Sequence, residues 1–146
     1  MSGGDDGVPE IDRAVLEVIR DRLRTAPQIA TVEIVVAGGQ TKLEAQLDGA
    51  VTPADIERRF LNIRWYTNDD FRIHYQEDWP DRTWCQRWGR HPNEHNDRDH
   101  FHPSPAAATP GEDRTWPSEF QAVLKRVVDG VRSRTKSLWQ AIENTG

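Results

Sequence analysis

The chain has 146 residues, of which 36% are hydrophobic and 29% charged, with five His, six Trp, one Cys and a formal net charge of −5. That is the length of one domain with a self-sufficient core, and the lone Cys85 excludes both an intrachain disulfide framework and a cysteine-rich zinc module. The acidic balance argues against holding duplex nucleic acid or an anionic membrane by bulk charge, no apolar run is long enough to span a bilayer, and the opening MSGGDDGVPE lacks the marks of an export signal, so a soluble cytoplasmic protein is expected.

Residues 1–8, rich in Gly and Asp, predict a disordered N-terminus, and residues 9–146 a single α+β domain. Between Pro9 and Thr25 the positions Ile11, Val15, Leu16, Val18, Ile19 and Leu23 recur at helical spacing, which predicts an amphipathic helix. Ala30, Val32, Ile34 and Val36 alternate with Thr31, Glu33 and Val35. Gly38-Gly39 then turns the chain into Leu43, Ala45 and Leu47, alternating with polar residues, a hairpin with one wet face. Residues 59–67 and 71–76 flank Asn68, Asp69 and Asp70 as a second hairpin. A three-residue loop puts Thr67, Trp65 and Ile63 opposite Phe71, Ile73 and Tyr75 on one side. It puts Tyr66 opposite Arg72 and Arg64 opposite His74 on the other, whereas a two-residue loop would mix the faces. Residues 83–89 supply a further strand whose buried side is open between Trp84, Gln86, Trp88 and the alternative Cys85, Arg87. Residues 90–116 predict a long His/Pro-rich polar loop. Ser118 to Gln121 matches a capping box, and Phe120, Val123, Leu124, Val127, Val128, Val131, Leu138 and Ile142 continue a helical stripe. The whole predicts an antiparallel β-meander of about five strands with N- and C-terminal helices packed on one face.

All five histidines lie between His74 and His102. His100 and His102 are two apart, so in an extended chain they share one side while Phe101 takes the other. Three readings compete. In the first, His91, His95, His100 and His102 bind zinc or a similar divalent transition metal, completed by Glu94, Asp97 or Asp99, in a non-enzymatic metal- or partner-binding domain. In the second, a metal-independent ribonuclease without cofactor uses His74, His100 and His102 with Arg64 and Arg87 for acid/base chemistry on a phosphodiester, while Tyr66 and Arg72 bind the RNA strand. In the third, the histidines belong to a solvated loop with no ligand. Cys85 has no base near it in sequence and reads as a small buried residue. The phosphate-loop, dinucleotide and serine-hydrolase signatures are absent.

Phe71-Arg72-Ile73-His74-Tyr75, a strand ending Arg87-Trp88, His91 to His95, then His100-Phe101-His102 and a C-terminal helix together resemble the small TumE-like toxins over about residues 60–135. The H-x-H step is the best-preserved part. That family tends to carry an aromatic-Asp-Asn step after its second strand, and here Gly89-Arg90 follows Trp88. The resemblance implies the toxin half of a toxin-antitoxin pair, partnered by a helix-turn-helix antitoxin. The chain is also similar to uncharacterised halophile proteins of this length. Three Lys against sixteen Arg in an acidic chain agree with a high-salt cytoplasm, and equally with a GC-rich genome.

Overall fold

The computed structural model describes residues 10–90, 99–102, 112–113 and 116–145. Helix α1 (Arg13–Arg24) begins where the Asp12 carboxylate accepts the Val15 backbone N–H at 3.1 Å, and its apolar stripe buries Leu16, Ile19 and Leu23. Strands β1 (Ile29–Ala37) and β2 (Gln40–Leu47) are joined through Gly38 and Gly39, whose φ angles of 61° and 77° are the mirror-image turn that matches strand twist. A 3₁₀ turn, Gly49–Val51, follows, with Asp48 accepting the Ala50 N–H at 2.9 Å. The chain continues through β3 (Arg58–Trp65), β4 (Phe71–Asp78), β5 (Thr83–Arg90), β6 (Asp99–His102), β7 (Glu112–Asp113) and helix α2 (Phe120–Thr145). All strands pair antiparallel in chain order, five long ones and then two short ones, within one α+β domain. The two short strands fall where a continuous loop over 90–116 was expected. The N-terminal residues 1–8 expected to be disordered lie outside the described residues. No described helix is long and apolar enough to cross a membrane.

The β3–β4 register differs from the expected one by two residues. Trp65 lies opposite Phe71, Ile63 opposite Ile73 and Leu61 opposite Tyr75, so Arg64 faces Arg72, not His74, and His74 faces Asn62. Tyr66 makes an isolated bridge to Ile11 and does not pair with Arg72. The turn sets this. Tyr66 donates its N–H to the Asp70 carbonyl at 2.9 Å and accepts that of Asp69 at 2.9 Å. Asp69 holds φ at 67° while its carboxylate takes the Trp65 indole N–H at 3.2 Å. An even slip leaves every side chain on its face, so the predicted sidedness survives the changed pairing.

One sheet face carries the core. Val32, Leu43, Ala45, Leu61, Ile63, Trp65, Phe71, Ile73, Tyr75 and Trp88 bury against Leu16, Ile19 and Leu23 of α1 and Val123, Val127 and Val131 of α2. Packing of Trp84 and Trp88 on this side settles β5 and sends Cys85 and Arg87 to the other. Charged residues also sit within the helix-covered side. Glu77 is fully buried and accepts from Tyr75 Oη at 2.6 Å, Trp79 Nε1 at 3.0 Å, and Nε and Nη2 of Arg134, both at 2.7 Å. The Arg134 guanidinium also lies 3.6 Å from the Trp84 ring centroid. Arg59, equally buried, donates to Thr52, Val51 O and Thr135 Oγ1. These bonds fasten α2 to β3 and β4 by geometry as well as by apolar area.

Candidate nucleic-acid interface

The face turned away from both helices takes its residues from alternate positions of the strands. Pairing lines them up in rows. Asn62, His74, Arg87 and His102 follow one another across β3, β4, β5 and β6. The neighbouring row is Arg64, Arg72, Gly89, His100 and Asp113. On the far side of the first row lie Phe60, Gln76 and Cys85, followed by Arg58, Asp78 and Thr83. The sheet therefore collects on one surface the positions of His74, His100, His102, Arg64, Arg72 and Arg87, from four strands between residues 64 and 102. His91 and His95 lie outside the described residues. Tyr66 ends up in the turn, bridged to Ile11.

Charge on this surface is uneven. Arg64 and Arg72 stand directly opposite each other, and neither they nor Arg87 makes an ion pair among the described residues. Elsewhere arginines find carboxylates, as Arg58 does with Asp78 at 2.7 Å and Arg134 with Glu77. Like charges facing across a ladder repel, an arrangement that a bound anion would relieve. Gly89, between Arg72 and His100 in the row, brings no side chain into that stretch.

His74 is the half-buried centre of the patch. Its Nδ1 accepts from Arg87 Nε at 3.0 Å, and its Nε2 is 2.8 Å from Gln76 Oε1. Gln76 Nε2 then donates to Asp78 Oδ1 at 2.6 Å, and Arg58 Nε donates to Asp78 Oδ2 at 2.7 Å. The Phe60 ring, 6.3 Å from the imidazole, lies beneath Arg58 at 4.4 Å. Burial, with a smaller contribution from the Arg87 charge, pulls His74 below the ordinary histidine range against the opposing pull of Gln76. The ring is accordingly neutral near pH 7. The Arg58 and Gln76 hydrogen bonds hold the Asp78 carboxyl below its usual range. Beside His74 in its row, Asn62 Oδ1 is buried without a hydrogen-bond partner among the described residues. Burial pushes the Cys85 thiol up, in keeping with a small buried residue and not a nucleophile.

Gln76, Asp78, Arg58 and Asn62 were not singled out from sequence, although each has the strand phase of His74 or of its cross-strand partner, and that phase was the available signal. Among the described residues no group of three or more His, Cys, Asp or Glu side chains gathers to hold a metal ion. The toxin TumE family model matches residues 15–135. No curated protein and no solved structure matches the chain.

Proposed function

The chain belongs to the toxin TumE family, and from that premise we propose that its helix-free sheet face binds single-stranded RNA and cleaves it without a metal. Family membership implies an antitoxin partner in general, and we take that partner to be a helix-turn-helix protein. The observation that carries the RNA reading is the pair Arg64 and Arg72, opposite each other and in no ion pair among the described residues, with Arg72 two residues along β4 from His74, which faces Arg87. In a chain of net charge −5, such a patch suits local contact with phosphate better than long-range steering.

In this reading the strand lies across the rows. Arg64 and Arg72 hold one phosphate and Arg87 the next, which frees His74 Nδ1. That nitrogen removes the proton from a ribose 2′-hydroxyl, the O2′ attacks the adjacent phosphorus, and the P–O5′ bond breaks. The leaving O5′ takes a proton from an acid on the opposite side of Arg87, the position that pairing gives to His102, with His100 orienting the site. Products are a 2′,3′-cyclic phosphate and a 5′-hydroxyl. Arg87 offsets the charge that develops on the phosphoryl oxygens.

The test is cleavage and binding of a labelled single-stranded RNA by purified protein. His74→Ala and His102→Ala each abolish cleavage while the thermal transition is kept, and the same strand built of 2′-deoxynucleotides stays intact. Arg64→Ala with Arg72→Ala weakens binding and lowers the slope of log K against log salt by about 0.7, the contribution of the one phosphate no longer neutralised. Cleavage that survives in both histidine variants refutes the mechanism. Expression without the neighbouring gene arrests growth, and co-expression of the antitoxin restores it.

A further inference from the structure

The hydrogen bonds around His74 have a direction. Arg58 can only donate, and its guanidinium keeps Asp78 as an acceptor-only carboxylate. Gln76 must therefore turn its amide nitrogen toward Asp78 Oδ1, 2.6 Å away, which leaves its carbonyl oxygen facing the imidazole at 2.8 Å. Reversing the amide would set oxygen against carboxylate oxygen at that short distance. With an acceptor fixed at Nε2, the ring proton belongs there, and Nδ1 keeps its lone pair, which Arg87 Nε–H caps at 3.0 Å. The other tautomer would place an N–H against Arg87 Nε–H and a lone pair against Gln76 Oε1, losing both bonds. The bonds on the two sides of the ring agree on one proton position.

We propose that Gln76, oriented by Asp78 and Arg58, is a positioning residue that fixes His74 as the Nε2-protonated tautomer and so makes Nδ1, on the Arg87 side, the nitrogen that meets substrate. This deepens the RNA reading and rests on it for its catalytic consequence, although the proton position itself can be read without RNA. An anion that recruits the Arg87 guanidinium uncaps Nδ1 and leaves the Gln76 bond in place.

The experiment is long-range ¹H–¹⁵N correlation of the histidine rings in the ¹⁵N-labelled full chain at a pH where His74 is neutral, with His74 assigned by its loss in His74→Gln. The wild type is expected to show a protonated-type Nε2 and a lone-pair-type Nδ1. In Gln76→Leu the two nitrogens move toward each other as the tautomers mix, and in Gln76→Glu combined with Asp78→Asn, which keeps an acceptor oxygen at Nε2 and lets the amide at 78 donate to the new carboxylate, the wild-type pattern returns. Inorganic phosphate shifts Nδ1 and spares Nε2 in the wild type. An unchanged pattern in Gln76→Leu overturns the proposal, whatever RNA assays show. If cleavage is then measured, Gln76→Leu lowers kcat roughly tenfold with KM unchanged, as loss of a positioning partner does, and Gln76→Glu combined with Asp78→Asn restores it. Mixed tautomers with unaltered cleavage would confirm the positioning and refute the use of His74 in catalysis.

Discussion

Replacing Arg134 by Met removes the only cation among the described residues that touches the Glu77 carboxylate, and the structure fixes what that should do. The Glu77 side chain has no exposed surface, so the two 2.7 Å bonds from Arg134 are made away from water, and the Arg134 side chain is only 20% exposed. After the change, Tyr75 and Trp79 still donate to the carboxylate, but a buried charge faces neutral donors alone. Breaking one partner out of such a pair costs about 3–5 kcal/mol. The stacking of the guanidinium on Trp84, at 3.6 Å, disappears as well. For a domain of this length roughly 3 °C accompanies each kcal/mol, so the transition falls by about 10 °C in Arg134→Met. Urea denaturation supplies the free energy directly, and a double-variant cycle with Glu77→Gln isolates the pair. We expect a coupling of about 2 kcal/mol, within the range for residues that share one hydrogen-bonded network. A loss below about 1 kcal/mol in Arg134→Met, with no coupling, would mean that the pair behaves as a solvent-screened surface bridge, and that α2 is held to β4 by apolar contact alone.

The His74 ring, followed by NMR, should titrate with a midpoint below 6.5, because burial and then the Arg87 charge disfavour the imidazolium more than Gln76 favours it. Its folded value lies below its unfolded one, so its contribution to stability is complete above about pH 6.5 and declines as pH falls through the folded value. The predicted signature is a stability difference between wild type and His74→Gln that shrinks on acidification. Gly39→Ala should destabilise by about 1–2 kcal/mol in urea, since φ at Gly39 is 77°, a conformation that costs a Cβ-bearing residue that much. Asp69→Asn, which also tolerates the left-handed region and keeps an acceptor for the Trp65 indole, should change stability by less than about 0.5 kcal/mol.

What the sequence exposed and what it concealed follow from one property of strands. Sidedness repeats every two residues, so Ile63, Trp65, Ile73 and Tyr75 declare a common buried face, and Arg64, Arg72 and His74 a common opposite one, without knowledge of which residue pairs with which. Register lacks that protection. Pairing Ile63 with Tyr75 or with Ile73 gives equally apolar neighbours, and the choice is made by the hydrogen bonds of Tyr66 with Asp69 and Asp70, which loop length alone does not reveal. The same period concealed the ionic anchor. Arg59 and Glu77 occupy the phase of Leu61 and Tyr75, an inward phase where charge looks misplaced until Arg134 arrives from a helix 57 residues beyond Glu77. Charged residues at inward phase on neighbouring strands are thus a readable signal of a buried pair, provided a distant cation is sought. The relay of Gln76, Asp78 and Arg58 was hidden for a different reason: His74 and Gln76 are two apart on β4, which places them on one face, but the orientation of an amide is decided only when its far partner is known. Faces were legible because they depend on parity. The chemistry of His74 depends on which neighbour donates and which accepts, and only the paired sheet supplies that.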